Sequence, residues 1–233
     1  SSLLTNGAWE GPRPEFQRAA VAHVHADPDP YDNVVRQIPI EKAGNNDRRW
    51  ALAFEATRAM EPGLAVEETP SVLRIGGSPL PSKQEDGRPM LVRFRPAADP
   101  IPQISMAQLA DDPKLGERLK DKAVFVGLTA QSAAQDRHAT PVSFGMTMVG
   151  VEVHASAYET PHQRAFVRRA GNAEIALTSL LLVVIVGFVF VTLTGWKAYL
   201  LAGGCLALSH VVPFMSFAQG VVFPYTTLLS SVW

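Results

Sequence analysis

The chain has 233 residues and a mass of 25.2 kDa, room for one or two ordinary domains. Its 21 Lys and Arg and 22 Asp and Glu almost cancel, but beyond Asn172 only Glu174 and Lys197 carry charge, which excludes a single globule in water. Balanced charge without a Lys/Arg run also excludes nucleic-acid binding by bulk charge, and a lone cysteine, Cys205, excludes a disulfide framework.

Residues 1–33 are rich in turn signals, among them Gly11-Pro12 and Asp27-Pro28-Asp29-Pro30, and residues 16–25 between them read as a strand. Residues 34–40 read as a strand that ends at Pro39. Trp50, Phe54 and Thr57, with Leu52 and Ala56, fall at helical spacing until Pro62-Gly63 stops the run. Strands are predicted at 72–75 and 90–95, with a loop over 76–89 between them. Short helices follow at 105–109 and 115–119.

Ala123-Val-Phe-Val-Gly-Leu-Thr129 has the composition of a buried parallel strand. After the loop containing Asp136, His138, Thr140 and Pro141, residues 150–158 alternate like a strand. Val151, Ala155 and Tyr158 nevertheless share one helical face, and a helix is predicted. Helices interleaved with strands indicate an α/β layer structure over residues 1–172.

Residues 175–196 are free of charge and long enough to cross a bilayer as a helix, which needs about 20 residues. Thr194-Gly195-Trp196-Lys197 supplies a turn with an interfacial aromatic and a cation. Residues 198–217 form a second such stretch, and residues 221–233 begin a third that is too short to cross. With no initiator Met at Ser1 and this short final stretch, the chain is expected to be a piece of a longer protein. Three crossings would put whatever follows Trp233 on the opposite side from residues 1–172. Arg164, Arg168 and Arg169 before the first stretch, taken alone, favour a cytoplasmic polar domain.

Several groups could carry chemistry. In an extended chain His23, His25 and Asp27 share one face, as zinc hydrolases arrange their first ligands, but Pro28 stands where the next histidine would be. Asp136, His138 and Thr140 contain the residue types of a catalytic set. Their spacing within one loop does not orient a base on a nucleophile, and a rigid turn in which Asp136 and Thr140 bond local amides is the plainer reading. Glu152 and His154 begin the helix after Gly150, as a helix-start acid and a packed histidine or as a ligand-sensing pair. No Gly-x-Gly-x-x-Gly and no Walker lysine occurs, so no cofactor is expected. His210 is costly at membrane depth, and its expected partner lies across a helix pair, near the carbonyl that Pro213 frees.

The order of these segments resembles the CHASE type 2 (CHASE2) family of extracytoplasmic sensor domains. The resemblance rests on Asp29 and Asp32-Asn33-Val34-Val35-Arg36-Gln37-Ile38-Pro39-Ile40, the Trp50–Met60 helix, Lys122-Ala-Val-Phe-Val-Gly127, Ala139-Thr140-Pro141 and Val149-Gly-Val-Glu-Val-His-Ala155. Asn33 stands where the family usually has glycine, and Val149 where proline is common.

The resemblance implies an α/β extracytoplasmic sensor domain over 1–172, then transmembrane helices at about 175–196, 198–217 and 221–233, the last incomplete. It implies a non-enzymatic input module of a bacterial receptor in the plasma membrane. Its output would be a nucleotide cyclase, a histidine kinase or a Ser/Thr kinase after the third helix. The partners expected are the membrane, an extracytoplasmic ligand and a second copy of the receptor. Ligand candidates are Asp29, Asp32, Arg36, Asp136, His138, Thr140, Glu152 and His154. Two rival readings remain: a membrane-tethered metallohydrolase using His23, His25 and Asp27, and a transport or partner-docking subunit in which the helices matter most.

Overall fold

The computed structural model describes residues 4–5, 13–22, 24–26, 33–44, 47–96, 98–129, 136–143 and 145–224. Contacts divide the chain into two units, residues 1–166 and 167–233.

The first unit begins with β1 (Leu4–Thr5) and α1 (Pro14–Ala19). Residues 16–25, expected as one strand, are split. Pro14 presets the φ of a first helical turn, Glu15 and Arg18 suit the two helix ends, and no residue of α1 is buried to favour a half-buried strand. Only β2 (Val24–His25) is paired there, parallel to β5 (Asp47–Ala51). Along the chain between β2 and β5 come β3 (Gln37–Pro39) and β4 (Glu41–Gly44), and β1-β4-β5-β2 make one mixed sheet.

The helix near Trp50 is α2 (Leu52–Met60), while Trp50 itself belongs to β5. Ala53, Phe54 and Thr57 are its buried face, as the spacing requires. Next comes an antiparallel meander of β6 (Val66–Glu68), β7 (Val72–Ile75) and β8 (Ser78–Pro81). The predicted loop over 76–89 is thus partly a hairpin. Gly76 and Gly77 have φ of 56° and 80°, the left-handed pair that a tight two-residue turn needs. β9 (Pro89–Leu91) pairs antiparallel with β3. In α3 (Met106–Asp111) Ser105 and Gln108 form a capping box, and Pro113–Leu119 is a 3-10 helix.

Residues 123–129 form no helix and join no ladder among the described residues, which corrects the buried parallel strand expected there. Phe125 turns inward onto Tyr158, with ring centroids 5.6 Å apart, whereas Val124, Val126 and Leu128 are exposed. Composition reports apolarity; it does not supply a neighbouring strand. β10 (Arg137–His138) and β11 (Met148–Val149) then pair and lead into α4 (Gly150–His162), a helix as predicted. The core gathers Ile38, Ile40, Phe54, Leu73, Ile75, Met90, Ala157 and Tyr158. Each large apolar side chain buried there contributes about 1.5–3 kcal/mol.

The second unit comprises β12 (Arg168–Arg169), α5 (Asn172–Thr192), α6 (Trp196–Ala218) and β13 (Val221–Val222). α5 and α6 have 21 and 23 residues, long and apolar enough to cross a membrane. At 1.5 Å per residue they are about 32 and 35 Å long, against about 30 Å of hydrocarbon. On α6, Ala198, Cys205 and Ser209 are buried at heptad-like spacing.

His210 is exposed on α6, and its Nδ1 donates to the Leu206 carbonyl of its own helix at 2.8 Å. This bond runs along the helix and not across a helix pair. It reaches Leu206, one turn below, and not the Ser209 carbonyl that Pro213 cannot engage. Val221, expected to open a third helix, lies instead in β13, which pairs parallel with β12. Residues 225–233 lie outside the described residues.

Candidate functional site

Three separate pieces of the first unit converge beside the start of α4. Val34 forms a lone parallel bridge with Ala139, and the Val35 amide donates to the Ala139 carbonyl at 2.8 Å. Arg137 and His138 pair with Val149 and Met148, which lead directly into α4. The bridge and the ribbon therefore bring the stretch holding Arg36, the loop holding Asp136, His138 and Thr140, and the first turn of α4, with Glu152 and His154, into one strip. Asn33, at the start of this strip, has φ of 62°. Asparagine tolerates that left-handed conformation better than other side-chain-bearing residues, which explains why it can stand where the family prefers glycine.

The Asp136 carboxylate lies against Gly150, so closely that a Cβ there would collide with it. It thus faces the positive end of α4. His138 Nε2 is 3.4 Å from Asp136 Oδ1. Glu152 is half-buried, and His154 is buried within α4. Arg36 is exposed, and its carbonyl accepts the Val92 amide at 2.9 Å.

The turn at Thr140 is closed differently from the sequence expectation. Ser143 Oγ accepts the Thr140 amide at 2.9 Å and donates to the Thr140 carbonyl at 2.8 Å. Thr140 Oγ1 is buried and has no hydrogen-bond partner among the described residues. A buried hydroxyl in that state marks the strip as a place where a polar group from outside would be welcome.

His23, Asp27, Asp29 and Asp32 lie outside the described residues. His25 is buried in β2. Among the described residues no three His, Cys, Asp or Glu side chains converge in a way that could hold a metal ion.

Ionic clusters whose members are far apart in the chain escape sequence reasoning, among them one on Glu41 and one on Glu61. In the first, Arg88 Nε is 3.1 Å from Glu41 Oε1, and each side chain is only 1% exposed. Arg48 also pairs with Glu41, reaches Glu68 at 2.8 Å, and lies 4.0 Å over the Trp50 ring.

In the second, Glu61 at the end of α2 accepts from Arg164 and, at 3.0 Å, from His162 Nδ1 at the end of α4. Arg164 and His162 hold the Glu61 carboxyl below its ordinary value, Arg164 contributing most. The stabilisation is therefore present above the unfolded carboxyl value of about 4.3 and lost as pH falls through the lowered folded value. Glu61→Gln is expected to cost about 1 kcal/mol at pH 7, the partners being partly exposed. Thermal unfolding should show that difference shrinking to nothing in strong acid.

The CHASE2 domain family model matches residues 4–195, from β1 to the turn after α5. The chain belongs to the CHASE2 domain family. CHASE2 is a sensory domain of signalling receptors, and the two apolar helices fit such a receptor's membrane part. No curated protein matches the chain, and no solved structure does.

Proposed function

We propose that residues 1–166 of this CHASE2 chain receive a stimulus outside the plasma membrane. The helices from Asn172 onward pass it to an effector on the cytoplasmic side. The observation that carries the receiving role is the strip beside α4. There the Asp136 carboxylate lies beside His138 and against Gly150 at the start of α4, the last helix before the membrane segment. The Thr140 hydroxyl, two residues beyond His138, is buried with no partner among the described residues. A polar ligand reaching Thr140 would act on the positive end of α4.

The direction of β13 supports a third crossing. Gly220, with φ of 77°, reverses the chain after α6, and Val221–Val222 then run parallel to Arg168–Arg169. The chain leaving Val222 therefore heads the way β12 does as it approaches α5. Pro224 then offers a residue suited to a first helical turn, before an uncharged stretch. A third crossing puts the output opposite the sensor, where a cyclase or kinase would find its nucleotide. The receptor is expected to work as a pair of identical chains.

Deleting residues 1–166 from the intact receptor, with output followed as the outside medium is changed, tests this reading. The deletion should fix output at one level. A deletion that keeps a graded response would refute a sensing role for these residues.

A further inference from the structure

Within the second unit, the two ends of the α5–α6 hairpin are tied together by backbone. The Arg168 amide donates to the Gly220 carbonyl and the Ala170 amide to the Val222 carbonyl, both at 2.9 Å. Arg168 pairs with Val221 and Arg169 with Val222 in parallel register. The same strand is also clamped to α5: Arg168 donates through both terminal nitrogens to the Glu174 carboxylate, at 2.7 and 2.8 Å. Glu174 Oε2 accepts the Gly171 amide at 2.8 Å as well. A bidentate guanidinium–carboxylate pair fixes orientation as well as distance. Residues 168–174 thus form one stiff piece: strand, clamp and first helical turn.

We infer that the β12–β13 ribbon is a strap, passing a shift of residues 167–170 directly to the chain beyond Val222 through backbone hydrogen bonds. The alternative route, through the packing of α5 on α6, is long and soft by comparison. α5 buries only Val189, and α6 only Ala198, Cys205 and Ser209. Apolar helices in lipid gain little from one another beyond van der Waals packing, so two such helices can slide where a hydrogen-bonded ribbon cannot. A piston or tilt of about 1–2 Å at the start of α5, the usual scale for helix shifts, would carry Val221 and Val222 with it. The strap's use in signalling rests on the three-crossing reading above; its existence as a tie does not.

The test uses the full chain in membranes with Cys205 replaced by serine. In one arm, Arg169→Cys is combined with Val222→Cys, its register partner, or with Phe223→Cys, one residue off register. Paired strand positions lie within disulfide reach. The Val222 pair should cross-link at least 10-fold faster under mild oxidant. Equal rates would overturn the strap, because a sliding or open ribbon does not discriminate register.

In the other arm, Val222→Cys alone is labelled by an aqueous maleimide. Adding Ala170→Pro, which removes the donor to Val222, should raise the labelling rate at least 10-fold with helix content unchanged. Glu174→Gln, which loosens the clamp but leaves the ribbon's donors, should raise it less. Labelling at Val222 that ignores both substitutions would overturn the proposal. A cysteine placed after Trp233 reports the crossing number separately, so a wrong topology and a missing strap give different results.

Discussion

Glu41→Ala is expected to destabilise the first unit by about 3–5 kcal/mol, the cost of stranding a buried charge. For a unit of this size that lowers the melting temperature by about 10 °C. The reason is Arg88. Its side chain is 1% exposed, its Nε faces Glu41 Oε1, and its other acidic neighbour, Glu68, is 3.9 Å away and partly exposed. Without Glu41 the guanidinium stays buried and nearly unpaired. Burial pushes the Glu41 carboxyl above its ordinary value, and Arg48 and Arg88 pull it back only in part. The ion pair is therefore a poor source of net stability. A carboxyl raised in the fold contributes stability below its unfolded value of about 4.3 and loses it as pH rises through the folded value. The double change Glu41→Leu with Arg88→Met should then return stability to within about 1 kcal/mol of the parent, since well-packed apolar replacements of buried pairs are often neutral or better. Thermal unfolding of the detergent-solubilised chain distinguishes the single from the double variant. A double variant as unstable as Glu41→Ala would show that the pair itself stabilises the fold.

Phe54→Ala is the second large loss, at about 3–5 kcal/mol for a fully buried aromatic. Phe54 is 1% exposed and packs on Trp50 with ring centroids 4.9 Å apart. It holds α2 in the core that Ala157 and Tyr158 of α4 complete. Removing the ring leaves a cavity where the two helices meet and loosens the element that begins at the candidate site. Phe54→Leu keeps most of the volume and should cost about 1.5 kcal/mol or less. Arg58→Ala on the exposed face of α2 should stay within about 0.5 kcal/mol. Comparing the three by thermal unfolding separates cavity formation from loss of helix propensity.

What was legible in the sequence followed the range of the signal. The helix near Trp50, the strand at 72–75 and the helix after Gly150 are written in local periodicity, and the structure has them. Gly76-Gly77 is equally local, a hairpin turn between two strands, although residues 76–89 read as a loop in sequence. Residues 16–25 misled because apolar and small residues there fit a strand, while Pro14 and the helix-favouring ends decided otherwise. Residues 123–129 show the opposite limit, since a strand needs a partner that its own residues do not specify.

That the stretches holding Arg36, the Asp136–Thr140 loop and the start of α4 lie side by side depends on one bridge and one two-residue ribbon, which no spacing rule reaches. The Glu41–Arg88 pair was out of reach too, its members linked only through the fold. The ordered blocks from Asp29 to His154 did carry the family, which the match over residues 4–195 shows.

In the proposed receptor, sensor and output lie on opposite sides of the plasma membrane. In intact cells carrying the Cys205→Ser receptor, a cysteine at exposed Glu85 and another just after Trp233 can each be probed with a membrane-impermeant maleimide. Labelling of the Glu85→Cys chain in intact cells, with the cysteine after Trp233 reached only once the membrane is opened, is the predicted result. Labelling of both from the same side would contradict it.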